Sequence, residues 1–198
     1  MNLFLIFILL LLPYVPGVGP SAAPKHQQPV VGSGVYQTAD DYQKGVLALP
    51  VDCRANRHKI KLHDLLGKPT FDVIHDGKKH TFVKAEVYGF RTCEGQTYRF
   101  FNNEEYLIRE NGILTIYERT VAQPGISGKG TQLVPKFFFS LGNAGSIQPL
   151  MKKNVKEAFP EKHAFHDALD AQFATDDVSA YDDFHKMYRV NHLLHGTH

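Results

Sequence analysis

The chain has no tryptophan and only two cysteines, Cys53 and Cys93, among 198 residues. So few cysteines exclude a disulfide-dense scaffold and any four-cysteine metal site. No charged side chain occurs before Lys25, and no apolar run reaches the roughly 20 residues that a membrane-spanning helix needs. With 16 Gly and 11 Pro the composition is neither collagen-like nor low-complexity. A net charge of +2 with 43% hydrophobic residues excludes an acidic disordered chain. The same charge is too weak a basic excess to indicate a nucleic-acid partner.

What is present begins with an uninterrupted apolar run, Leu3 to Leu12, followed by Pro13, Pro16, Gly17, Gly19, Pro20 and the small residues Ser21, Ala22 and Ala23. That order matches the apolar region and small-residue cleavage zone of a signal peptide. An uncleaved anchor would have to carry a helix through Pro13 and Pro16, which remove backbone donors and clash with the preceding turn. Residues 1–23 are therefore expected to be a signal peptide. The mature chain, with no transmembrane span, is expected in a periplasmic or extracellular compartment. There two cysteines most simply pair, so Cys53 and Cys93 are expected to form one disulfide.

Residues 24–34, rich in Pro, Gly and polar side chains, read as a flexible leader. One domain, 35–198, follows. Thr38 ahead of Ala39-Asp40-Asp41-Tyr42, with Gly45 as a stop, predicts one short helix. From about His58 to about Leu150 the hydrophobic period is two: Ile60 and Leu62 oppose Lys59, Lys61 and His63, and Tyr98 and Phe100 oppose Arg99. Asp76-Gly77, Glu94-Gly95, Asn102-Asn103 and Asn111-Gly112 punctuate this stretch as turns. Breaks every eight to twelve residues predict an antiparallel meander, curled or partly closed like a barrel. After Pro149 the period lengthens, predicting helices over Lys152 to Phe159, Lys162 to Phe173 and Val178 to His195. Strands first and helices last give an α+β class.

Several segments look alike to a known group. They are Lys-Ile-Lys-Leu-His-Asp at 59–64, Val-Ile-His-Asp-Gly-Lys-Lys-His at 73–80, Glu-Val-Tyr-Gly-Phe-Arg at 86–91, Gly-Gln-Thr-Tyr-Arg at 95–99, and the stretch from Tyr181 to Leu194. Together they resemble uncharacterised exported proteins of the Bacteroidetes over most of the mature chain. The resemblance implies export and a shared fold, and it carries no catalytic residue.

Eleven histidines are the compositional oddity. On a helix, Tyr181, His185, Tyr188, His192 and His195 would form one stripe, at the edge of the core, with imidazoles hydrogen-bonded to hydroxyls or carbonyls. The rival reading is a Zn or Cu site that draws on His185, His192 and His195, or on His163, His166 and Asp170 of the preceding helix. Such a site needs three or four converging ligands, and the sequence shows only pairs. Lys59, Lys61 and His63 are candidates for an anion or anionic-glycan surface, or simply a solvated strand edge. No nucleophile elbow or phosphate loop is present: Gly125-Ile-Ser-Gly-Lys-Gly fits neither pattern. The expectation is thus an exported, non-catalytic binding or envelope-associated module with no cofactor. A histidine-based metal-binding protein and a hydrolase with a loop-assembled site are the alternatives.

Overall fold

A computed structural model describes residues 32–54, 59–62, 68–125 and 130–196. The proposed signal peptide, most of the leader, Arg57, His58, His63 and the centre of the loop after Gly125 lie outside these residues. Among the described residues, thirteen strands and four α-helices follow the expected order, strands first and helices largely last.

The first elements show local sequence acting directly. Strand β1 (Gly32–Tyr36) is fully buried, so the sheet begins at Gly32, inside the segment 24–34 expected to be a flexible leader. Its small residues explain the correction: a Cβ on Gly34 would lie 2.9 Å from Leu47 Cβ and from the Ala48 carbonyl oxygen. Helix α1 (Ala39–Lys44) starts at a complete capping box between Thr38 and Asp41 and stops at Gly45, whose φ is 68°.

Strand β2 (Ala48–Asp52) follows, and then a separate sheet of β3 (Lys59–Lys61), β4 (Thr70–His75) and β5 (Lys78–Val83). Asp76 and Gly77, both at positive φ, make the tight β4–β5 turn. The main sheet continues with β6 (Gly89–Arg91), β7 (Thr97–Phe101), β8 (Glu104–Glu110), β9 (Leu114–Pro124), β10 (Thr131–Leu141) and β11 (Gln148–Pro149). Its eight strands run in the order β11-β10-β9-β8-β7-β6-β1-β2, every pair antiparallel. The meander is as expected. The curled, partly closed barrel is not: β11 and β2 are free edges, and the sheet is open. It has no need to close on itself, because helices and the smaller sheet cover its apolar face.

Strand registers show which side chains share that face. Tyr98 pairs with Leu107, and Leu107 with Glu118. Leu114 and Ile116 have the same parity along β9, and Ile116 pairs with Phe139 on β10. At one end this face packs against helices α2 (Lys152–Ala158), α3 (His163–Gln172) and α4 (Arg189–Gly196), through Val155, Phe165, Leu169, Val190 and Leu194. At the other end, Phe90 and Phe100 meet Phe71 and Val73 of the small sheet. The opposite face buries Tyr106, Tyr117 and Ile147. It also buries Arg99, whose guanidinium donates to the Tyr117 hydroxyl at 2.9 Å and to Ser140 Oγ at 3.3 Å.

The third expected helix is a further correction. Residues 181–188 form a hairpin, β12 (Tyr181–Asp182) with β13 (Met187–Tyr188), and only α4 is helical. Asp182 Oδ1 accepts the backbone N–H groups of Phe184 and His185, at 2.9 and 3.0 Å. This turn outcompetes the helix, and Lys186 at φ 55° completes it.

Cys53 and Cys93 are disulfide-bonded with Cα atoms 5.6 Å apart. Strand β1 pairs antiparallel with both β2 and β6. The C-terminal ends of β2 and β6 therefore lie on the same side, and the bridge ties them across β1.

Candidate functional site

Between the small sheet and the exposed middle of the covered face lies a cleft of about 650 Å³, within the size range of small-molecule sites. Alternation along β3 supplies one wall: Ile60 and Leu62 face the cleft, while Lys59 and Lys61 stay exposed on the outer side. Phe90, Tyr98 and Leu107 of the main sheet supply the other. Phe90 and Tyr98 are cross-strand neighbours whose rings stack at 5.0 Å with 9° between their planes. The stack buries Phe90, which is 2% exposed, and leaves the half-buried Tyr98 ring as the aromatic surface of the cleft. Gly89 makes room for this pairing, since a Cβ there would come within 1.9 Å of the Tyr98 carbonyl oxygen.

Charged groups line the remainder. Lys84 lies in a single 3-10 turn, Lys84–Glu86, after β5 and is only 2% exposed. Its ammonium donates to Glu105 Oε1 at 2.9 Å and sits 5.6 Å from the centre of the Phe100 ring. Arg119 pairs with Glu104, and Glu118 accepts from Arg109 Nε at 2.7 Å. Thr92, Asn103 and Thr120 add neutral hydrogen-bonding groups. Three glutamates against Lys84 and Arg119 leave the lining slightly acidic, and each glutamate already has a cationic partner.

The histidines fall elsewhere. His166 contacts the Phe159 carbonyl oxygen at 2.9 Å, and His163 is exposed beside it. Asp170 does not join them: Lys156 bonds it at 2.6 Å, and this hydrogen bond holds its carboxyl below the usual range. His195 lies exposed in the last turn of α4. His185 and His192 do meet, with ring centres 3.8 Å apart, but between the hairpin turn and α4 rather than along one helix. Asp182, which belongs to neither histidine cluster expected from the sequence, joins them through a 2.8 Å contact to His185 Nδ1. Lys84, Glu105 and Arg99 also escaped the sequence reading, because a charged residue in an alternating strand or turn looks solvent-facing.

The fold is thus α+β, with an open antiparallel sheet, a second sheet and a bundle of helices sharing one face. Compared with known protein families, with curated proteins and with solved structures, the chain matches none. No helix among the described residues is long and apolar enough to cross a membrane.

Proposed function

We propose that this protein is an exported, non-catalytic binding module whose cleft takes a neutral or amine-bearing saccharide of the cell envelope. The observation that carries the reading is the cleft's composition. It joins the Tyr98 ring, backed by the buried Phe90, to a rim of paired charges and hydroxyls. A sugar ring offers the complement, with one C–H face for the Tyr98 ring and equatorial hydroxyls for the carboxylates, Arg119, Asn103 and the threonines. The slightly acidic lining favours an amino sugar over an anionic one. The outward placement of Lys59 and Lys61 on β3 also separates them from this cleft.

The non-catalytic part rests on the ion pairing of all three glutamates. Glycoside hydrolysis needs one carboxylic acid held protonated opposite a second carboxylate, and no cleft glutamate is without a cation. Export is supported by the Cys53–Cys93 bridge, by the apolar leader and by the resemblance to exported Bacteroidetes proteins. The test is calorimetric titration of the full chain with glucosamine and N-acetylglucosamine oligomers. Saturable binding is expected, weakened by tenfold or more, about 1.4 kcal/mol, in Tyr98→Ala. Equal binding by wild type and Tyr98→Ala, or no binding of any neutral or amine-bearing oligomer, would refute the reading.

A further inference from the structure

The hairpin and the first turn of α4 bring together donors that sequence order disperses. Asp182, His185 and His192 each present one ligand atom, and the three atoms lie within 4.8 Å of one another. We propose that these residues form a binding site for a divalent transition metal of the zinc or copper kind, independent of the cleft.

The donor set suits such an ion, since two imidazoles with one carboxylate are borderline ligands that zinc and copper prefer over calcium or magnesium. Tetrahedral zinc at about 2.0–2.1 Å from each donor spaces its ligands about 3.3 Å apart. The three atoms therefore need to close by about 1.5 Å. Asp182 Oδ2 and His185 Nδ1 are closer than that already, at 2.8 Å. An ion would replace the proton of that hydrogen bond: with His185 then in its Nε2–H form, both atoms present lone pairs to the metal and part to about 3.3 Å. His192 lies beside them, its ring stacked on His185 at 27°. Nearly parallel rings aim their nitrogens side by side, so His192 must turn about its Cβ–Cγ bond, a broad torsion with little cost. His185 is exposed and His192 half-buried, so the turn displaces no core side chain.

The backbone beneath is fixed even though the side chains can move. Asp182 is held through Oδ1 by two backbone N–H groups. The next turn is anchored by Glu110, which accepts from the Tyr188 backbone N–H at 2.7 Å and from Asn191 Nδ2 at 2.6 Å. His192 adjoins Asn191, so the hairpin and α4 are set in register by one carboxylate. A hollow of about 320 Å³ opens next to the cluster, lined by Gln172, Asp182, Arg189, His192 and Leu193. It leaves room for a fourth ligand, and Arg189 favours an anionic one there.

Full-length chain without an affinity tag, titrated with Zn(II) in a calorimeter and with Cu(II) under electron paramagnetic resonance, tests the site. One tight ion per chain is expected, with a copper spectrum showing two coordinated nitrogens. Asp182→Asn, His185→Gln and His192→Gln should each weaken binding by at least about tenfold, whereas His163→Ala and His195→Ala should leave it unchanged. Circular dichroism establishes that each variant is folded, and His185, being exposed, gives the variant least able to disturb packing. No tight ion in the wild type would overturn the proposal. So would binding that survives the three substitutions, or that is lost in His163→Ala instead.

Discussion

Replacing Asn191 with alanine should cost more than any other single truncation of a polar side chain in α4. Asn191 is 1% exposed, and its amide behaves like a strand residue on the edge of β9. Its oxygen accepts the Leu114 backbone N–H at 3.0 Å, and its nitrogen donates to the Leu114 carbonyl oxygen at 2.8 Å. The same nitrogen reaches Glu110. Alanine would leave the N–H and carbonyl of Leu114 buried without these partners, and each orphaned group costs about 1–3 kcal/mol. Glu110 retains the Tyr188 N–H, so its own loss is partial. The expected destabilisation is about 3 kcal/mol, read as a drop in the urea midpoint at unchanged slope. For a chain of this size it corresponds to a fall of roughly 6–12 °C in melting temperature. Asn191→Asp should do no better, because a carboxylate cannot donate to the Leu114 carbonyl and faces Glu110. Gly112→Ala should reproduce part of the effect, since the added Cβ would sit 2.8 Å from Asn191 Nδ2. A loss below about 1 kcal/mol for Asn191→Ala would show that the amide does not hold α4 to the sheet.

Three further outcomes follow from the same contacts. Reducing Cys53–Cys93, which closes a separation of 40 residues, should lower stability by about 4 kcal/mol on the loop-entropy relation, measured by urea denaturation with and without a phosphine reductant. Glu105→Gln should destabilise by about 3 kcal/mol because it removes one anionic partner from the buried Lys84 ammonium, whereas Lys84→Met with Glu105→Leu should recover most of the loss. The carboxyl of Asp182 is held down to about 2, chiefly by the His185 side chain and then by the backbone N–H groups of His185 and Phe184. A carboxyl whose folded pKa is depressed stabilises the folded state above its unfolded value, and this contribution fades as pH falls through the folded one. The hairpin should therefore loosen between about pH 4 and pH 2, seen as faster amide exchange at Phe184 and His185, and Asp182→Asn should remove that dependence.

The sequence disclosed elements whose cause is local and withheld those whose cause is distant. The Thr38 box, the Gly45 stop, the Asp76-Gly77 turn and the α2 and α3 helices are written in neighbouring residues, and all are present. The disulfide was legible from an even cysteine count and the expectation of export. The hairpin at 181–188 was not, since Tyr181, His185, Tyr188 and His192 keep helical spacing by coincidence. The Asp182 side chain decides the backbone there. Openness of the sheet was hidden because a meander of short strands reads the same whether its edges meet or not. The cleft escaped for a related reason. Lys84 and Glu105 lie 21 residues apart and meet only once β3–β5 folds over β7 and β8.

The claim that the cleft is a saccharide site is tested most directly by amide shift mapping of the uniformly 15N-labelled protein during titration with a glucosamine oligomer. The account predicts saturable shifts concentrated at Ile60, Leu62, Phe90, Tyr98, Leu107 and Thr120, with the outer face of β10 unmoved. Shifts confined to the histidine hairpin or to the helices, or a spectrum unchanged at saturating oligomer, would contradict it.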